Sequence, residues 1–383
     1  MRYSIAYCSA LLIIICACWL FSCKKEGEDT YTTGRIIKLP IDHTIDPTSI
    51  NQKFIHLDGT DYLYHWNKPT YEIVVFDLDK EELAARIPLP KEGPHKIEQV
   101  VGFTVLSADE ILISDNMPVL HLINQEGQVL RKIDFELFAD EANYTSNAYI
   151  KGGLYHKDVV RLGSTFIIPH KPPFRTGNGT ILSNSERSGT KLLIEVSPDG
   201  QANFMEATLP ADFYADKPPN IPADFSAAYD GKRLVWGFHS EEDLFYTEDF
   251  SSVHRVDITH QLAQKNLKDP FTLGPYYASI GMDWFSTLLY DPFRKRYYRF
   301  ASHKIDEEEI KNGRYSPQFM TRYPIDFSIL VLNQNFQELK EVRFTGTRYN
   351  MKQFLICQEG FYLSLNNPEN PEYDENYLQF EEI

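Results

Sequence analysis

Phe54-Ile55-His56-Leu57, Asp58-Gly59-Thr60 and Tyr62-Leu63-Tyr64-His65-Trp66 read in succession as a strand, a tight turn and a strand. Just downstream, Ile73-Val74-Val75-Phe76 turns at Asp79-Lys80 into Leu83-Ala84-Ala85-Arg86-Ile87, giving the hairpin a third and a fourth strand. The hairpin recurs as 103–106 with 111–113, 159–162 with 166–168, 227–229 with 234–236, 287–290 with 297–300, and 354–357 with 361–363. Further strands follow at 119–123 and 129–133, at 192–196, and at 329–332 and 339–344. Four antiparallel strands repeated about every 50 to 70 residues are the sequence form of a β-propeller. A sandwich also has many short strands, but would not predict a fixed order of short and long connections.

The reading is therefore all-β, a six-bladed β-propeller. The sixth hairpin is followed only by Tyr377-Leu378-Gln379-Phe380, so its blade lacks a fourth strand. Arg35-Ile36-Ile37-Lys38-Leu39 is of suitable length to supply it, sealing the ring by pairing the two ends. Left unpaired, that edge would be an aggregation liability. Residues 34–383 are expected to form one propeller domain.

Ahead of it, Arg2 precedes an apolar run from Ile5 to Phe21, and Ser22-Cys23 is followed by Lys24-Lys25-Glu26. This is the layout of an export signal. It resembles the lipobox of bacterial lipoproteins, which implies residues 1–22 as signal peptide, lipidation at Cys23, 23–33 as tether, and membrane attachment by acyl chains. Cys18 is a competing site, and an uncleaved span is a further alternative, although the run is short for one. The lipobox, the six irregular blades and the segment from Tyr62 to Asp77 (YLYHWNKPTYEIVVFD) resemble the uncharacterised six-bladed propeller lipoproteins of Bacteroidetes. That resemblance implies an outer-membrane address and carries no catalytic residue set. The tract after Cys23 is similar to a surface-transport signal but is interrupted by Gly27, which leaves the periplasmic and surface-exposed sides both open.

A formal charge of −16 argues against nucleic acid or anionic headgroups as partners. With three cysteines in the signal and Cys23 lipidated, Cys357 is alone in an apolar run and reads as core. No HExxH, GxSxG, P-loop or GxGxxG occurs, and no cofactor is identified. Asp77-Leu78-Asp79-Lys80-Glu81 lacks the glycine and spacing of an EF-hand and reads as a solvated turn.

Connection lengths place the functional face. The links 134–157, 210–224 and 257–283 between blades, and 171–191 and 302–326 between second and third strands, are long and emerge together. The ends of second strands at that face carry Trp66, Asn67, Asn116, His170, His239, His303 and Asn366, and the starts of inner strands carry Gln99, Asp158, Asp224 and Asp283. Those histidines and aspartates have the chemistry of metal ligands or proton carriers, and polar residues capping strand ends are the plainer reading. The expectation is a binding propeller for a glycan, peptide or protein, with a metal-assisted hydrolase or lyase at the central opening as the alternative.

Overall fold

A computed structural model describes residues 34–115, 119–134, 156–171, 183–215, 224–258, 284–305 and 316–383. Its described residues hold six four-stranded antiparallel sheets. The first is β2 (Gln52–Leu57), β3 (Thr60–Asn67), β4 (Glu72–Asp77) and β5 (Glu82–Pro88), followed by β6 (Gly102–Ser107), β7 (Glu110–Ser114), β8 (Val119–Ile123) and β9 (Val129–Asp134). Blade 3 is β10 (Val160–Leu162), β11 (Thr165–Pro169), β12 (Leu193–Val196) and β13 (Ala202–Phe204). Blade 4 is β14 (Phe225–Tyr229), β15 (Leu234–Phe238), β16 (Leu244–Thr247) and β17 (His254–Val256). Blade 5 comprises β18 (Trp284–Asp291), β19 (Arg296–Ser302), β20 (Asp326–Asn333) and β21 (Glu338–Thr345). Blade 6 combines β22 (Asn350–Ile356), β23 (Phe361–Ser364) and β24 (Tyr377–Glu382) with β1 (Ile36–Pro40).

Ring closure is as the sequence implies. β1 runs antiparallel to β24 with Ile37 opposite Phe380 and Leu39 opposite Leu378. Ile37 and Leu39 are buried while Ile36, Lys38 and Pro40 face outward, the period-two alternation of a sheet edge packed on one side. Elsewhere the burial of a strand follows its rank in the blade. β4, with neighbouring blades over both faces, is buried at every position, whereas β9 is exposed along most of its length. The core consequently lies between blades. Trp66, Val75 and Ile87 of blade 1 pack with Phe103, Ile111 and Ile113 of blade 2, and Ile167 and Leu193 of blade 3 pack with Trp236 and Phe238 of blade 4.

The face bearing short turns is organised by one repeated device, a side-chain oxygen accepting from backbone N–H groups two to four residues on. Asp77 holds the N–H groups of Asp79 and Lys80 at 3.1 and 3.0 Å, Asn124 those of Glu126 and Gln128, Asp249 those of Ser251 and Ser252, and Asn333 those of Asn335 and Gln337. The acidic run beginning at Asp77 is thus a turn, as its sequence suggests. Where such a turn meets the preceding blade, glycine is required. Gly127 has φ +77° and a Cβ there would sit 1.9 Å from the Pro88 carbonyl oxygen; Gly200, at φ +89°, faces the Asp134 carbonyl in the same way at 2.5 Å.

Three features go beyond the sequence reading. Blade 3 has a fourth strand and blade 4 a third and fourth, of only three or four residues each. Short helices α1 (Asn184–Arg187) and α2 (Pro317–Arg322) sit within two of the long links, α2 capped by the Ser316 hydroxyl accepting from Phe319 N–H. Ahead of β10, residues 156–158 run along the inner edge of blade 4: Asp158 N–H donates to the Ala227 carbonyl and Ala227 N–H to that of His156, both at 2.9 Å. Cys357 is buried, in keeping with a core role. Among the described residues no helix is long and apolar enough to cross a membrane.

Candidate functional site

The ends of the second strands meet the starts of the inner strands at one face, and blade 4 holds a charged cluster there. Asp224, just before β14, accepts an ion pair from Lys171 at 2.6 Å, and its carbonyl accepts from the backbone N–H of His239, just after β15. The His239 ring meets the half-buried indole of Trp284 edge-on, centroids 5.7 Å apart. Burial pushes the His239 imidazole down to about 3 against the pull of Asp224, with Lys171, Arg299 and Lys157 adding to the depression. Burial works to raise the Asp224 carboxyl, yet Lys171, His239 and Lys157 hold it below the ordinary range. Beneath them Arg299 lies over the Phe285 ring at 3.9 Å and donates to the carbonyls of Phe238, Glu241 and Glu242, which fixes the backbone on which His239 sits. Lys171, Asp224, His239 and Trp284 so form a line from blade 3 to blade 5.

A second cluster stands inside the ring. Lys53 on β2 crosses from blade 1 and its Nζ donates to Nδ1 of His156 at 3.3 Å. With Nδ1 accepting, Nε2 carries the proton and donates to Asp158 Oδ1 at 2.9 Å. The other carboxylate oxygen accepts from Tyr229 N–H at 2.9 Å. Burial opposes ionisation of Asp158, but His156, Lys53 and that N–H together draw its carboxyl down to about 2. Burial lowers the Lys53 ammonium, which Asp158 only partly offsets.

The remaining residues singled out from sequence serve the fold where the structure describes them. Trp66 is buried between blades 1 and 2 against Tyr71. Asn67 pins the strand β1-to-β2 link, accepting from Asp46 N–H at 3.0 Å and donating to the Thr44 carbonyl at 2.8 Å. Gln99 is exposed, its N–H held by Asp115 at 2.7 Å. His170 is buried with Nδ1 on the Lys191 carbonyl at 2.8 Å, and His303 bonds the Ser328 hydroxyl at 2.6 Å. Asn366 clamps β24, accepting from Gln379 N–H at 2.7 Å and donating to the Tyr377 carbonyl at 2.8 Å. Asn116, Asp283 and Cys23 lie outside the described residues. Among the nine described face residues, Asp224 and His239 are brought together by the backbone hydrogen bond between them. Among the described residues no three His, Cys, Asp or Glu side chains converge as a metal site.

Lys53, His156 and Lys171 were not singled out from sequence. His156 and Asp158 share one side of an extended tripeptide, a period-two signal legible in His156-Lys157-Asp158. Nothing local to Lys53 reveals a partner more than a hundred residues away.

Residues 41–159 and 211–341 match the family described as Domain of unknown function (DUF4221). The chain belongs to that family. A crystal structure of a DUF4221 member from Bacteroides vulgatus shares the fold, with a TM-score of 0.74 at 24% identity over 91% of this chain and 96% of that one. A structure described as a putative exported protein from Bacteroides fragilis aligns with a TM-score of 0.53 at 10% identity, covering 91% of this chain and 94% of its own. Among curated proteins none matches. The family assignment and the propeller are in accord with the sequence reading, and DUF4221 brings no activity with it.

Proposed function

We propose that this DUF4221 protein is a lipid-anchored protein of the outer membrane that binds a glycan, peptide or protein partner on the loop-bearing face of its propeller. The observation carrying the reading is the inequality of the two faces. One consists of tight Asx-type turns, while the other carries the Lys171–Asp224–His239–Trp284 line, whose members Lys171, Asp224 and Trp284 stand at the described ends of long links. Long loops on a rigid scaffold are the usual place of recognition, and an indole beside paired charges suits a sugar ring or a peptide. The Leu20-Phe21-Ser22-Cys23 sequence supports export and lipidation, as does the exported description of the Bacteroides fragilis neighbour.

Two measurements test it. Full-length protein expressed in a Bacteroidetes host with labelled palmitate should carry label and sediment with the outer membrane, and Cys23→Ala should abolish both. Label that persists in Cys23→Ala and disappears in Cys18→Ala would move the anchor. Purified residues 24–383 should bind defined glycans or peptides on an array, and Trp284→Ala should weaken the interaction by about 1–3 kcal/mol, or roughly fivefold to 150-fold. Equal binding by the Trp284→Ala protein would remove the face from consideration.

A further inference from the structure

The Lys53–His156–Asp158 cluster has the connectivity of a nucleophile, its base and the group that orients the base. Three observations set it apart from an ordinary buried ion pair. The ammonium of Lys53 faces an imidazole nitrogen, not a carboxylate, so its proton has an acceptor already aligned at 3.3 Å. The imidazole is locked in one tautomer by Asp158, whose second oxygen is held by a backbone N–H, so the carboxylate cannot swing away. Access is graded: the Asp158 side chain is 30% exposed, that of His156 12%, and Lys53 8%. A lysine crossing from blade 1 to a segment lying against blade 4 for structural reasons alone would be better served by a direct carboxylate contact.

We propose that Lys53 is a nucleophilic amine that forms an imine with a small aldehyde or ketone reaching the centre of the ring, with His156 as its base and Asp158 as the positioning residue. The Lys53 ammonium passes a proton to Nδ1 of His156, and the imidazolium is stabilised by Asp158. The freed nitrogen lone pair forms a bond to the carbonyl carbon as the C=O π pair moves onto oxygen. His156 returns the proton to that oxygen, giving a carbinolamine whose nitrogen bears two hydrogens and the positive charge. His156 then takes one of those protons and delivers it to the hydroxyl, which leaves as water as the freed nitrogen lone pair forms the C=N bond, so that the product is the iminium. The balance is one ammonium plus one carbonyl giving one iminium plus one water, with no oxidant or reductant consumed. This chemistry is independent of what the outer loops hold.

The test uses purified residues 24–383, formaldehyde as the carbonyl probe and cyanoborohydride to trap the imine, with site occupancy read by peptide mass spectrometry at pH 7. Lys232, 72% exposed, serves as the reference. Lys53 is expected to be methylated faster than Lys232, since burial lowers its ammonium and so raises the share of free amine at pH 7. Asp158→Asn, which keeps an acceptor for Tyr229 N–H, should reduce Lys53 trapping about tenfold while leaving Lys232 unchanged. Labelling of Lys232 with Lys53 unmodified overturns the proposal, and this arm needs no variant. Rapid Lys53 labelling unaffected by Asp158→Asn overturns the triad.

Discussion

Replacing Leu39 by alanine probes the joint that makes a ring out of six sheets. Leu39 is fully buried on β1, opposite Leu378 and within a cluster that joins blade 6 to Leu63, Val74 and Phe76 of blade 1. Transfer of a leucine side chain from water contributes about 1.5–3 kcal/mol, and the residual cavity adds to it, so Leu39→Ala should cost about 3 kcal/mol within the usual 2–5 kcal/mol range. Ile36, three positions earlier on the same strand, points to solvent at 36% exposure, and Ile36→Ala should stay within about 0.5 kcal/mol. Urea unfolding of residues 24–383 followed by far-ultraviolet circular dichroism and tryptophan fluorescence reads the difference. The Leu39→Ala midpoint should fall by about 1 M, with that of Ile36→Ala unmoved. Equal midpoints for the two variants would refute the reasoning, because they would mean that β1 contributes nothing to the closed ring.

Acid should weaken the fold well before carboxylates titrate. His65 and His239 are depressed to about 4 and about 3, so between those values and 6.5 the unfolded chain binds protons that the folded one refuses, and stability rises with pH. Lowering pH from 7 to 5 should cost about 2 kcal/mol per histidine, and His65→Gln should flatten the profile measured by urea titration. Asp158 acts lower, its contribution fading only as pH falls below about 4. Gly127→Ala should cost roughly 2 kcal/mol or more, because φ is positive and Cβ meets the Pro88 carbonyl, whereas Gly163→Ala, with open space around it, should cost about 1 kcal/mol; thermal melts separate the two. Asn67→Ala, which leaves Asp46 N–H without its acceptor, should lose about 1–3 kcal/mol by the same melts.

The architecture was legible because hairpins announce themselves locally. Leu57-Asp58-Gly59-Thr60 and Tyr229-Asp230-Gly231 carry turn chemistry between apolar runs, and β1 could be matched to its blade by counting strands. Strands of three residues such as His254–Val256 were not, since period two cannot be recognised in so few positions. The site was less legible for a different reason. Asn67, Asn366 and His303 look equivalent to His239 at the end of a second strand, and only tertiary hydrogen bonds reveal that they hold the chain itself. Lys53 shows the converse, a residue unremarkable in its strand whose role is set by a partner held against blade 4.

The pairing of Ile36 with Glu381 and of Pro40 with Tyr377 also sets an order of events during synthesis. β1 leaves the ribosome ahead of the six hairpins, and the strand it must join follows the last of them. Blades 1 to 5 can each assemble from contiguous sequence as they emerge, but the final step waits until all of them are made and closes the loop from β1 to β24, the kind of contact that slows folding. Until then β1 is an unpaired edge with two apolar residues on one face. A chain halted or clipped within blade 6 would therefore leave five finished blades and one permanently adhesive strand.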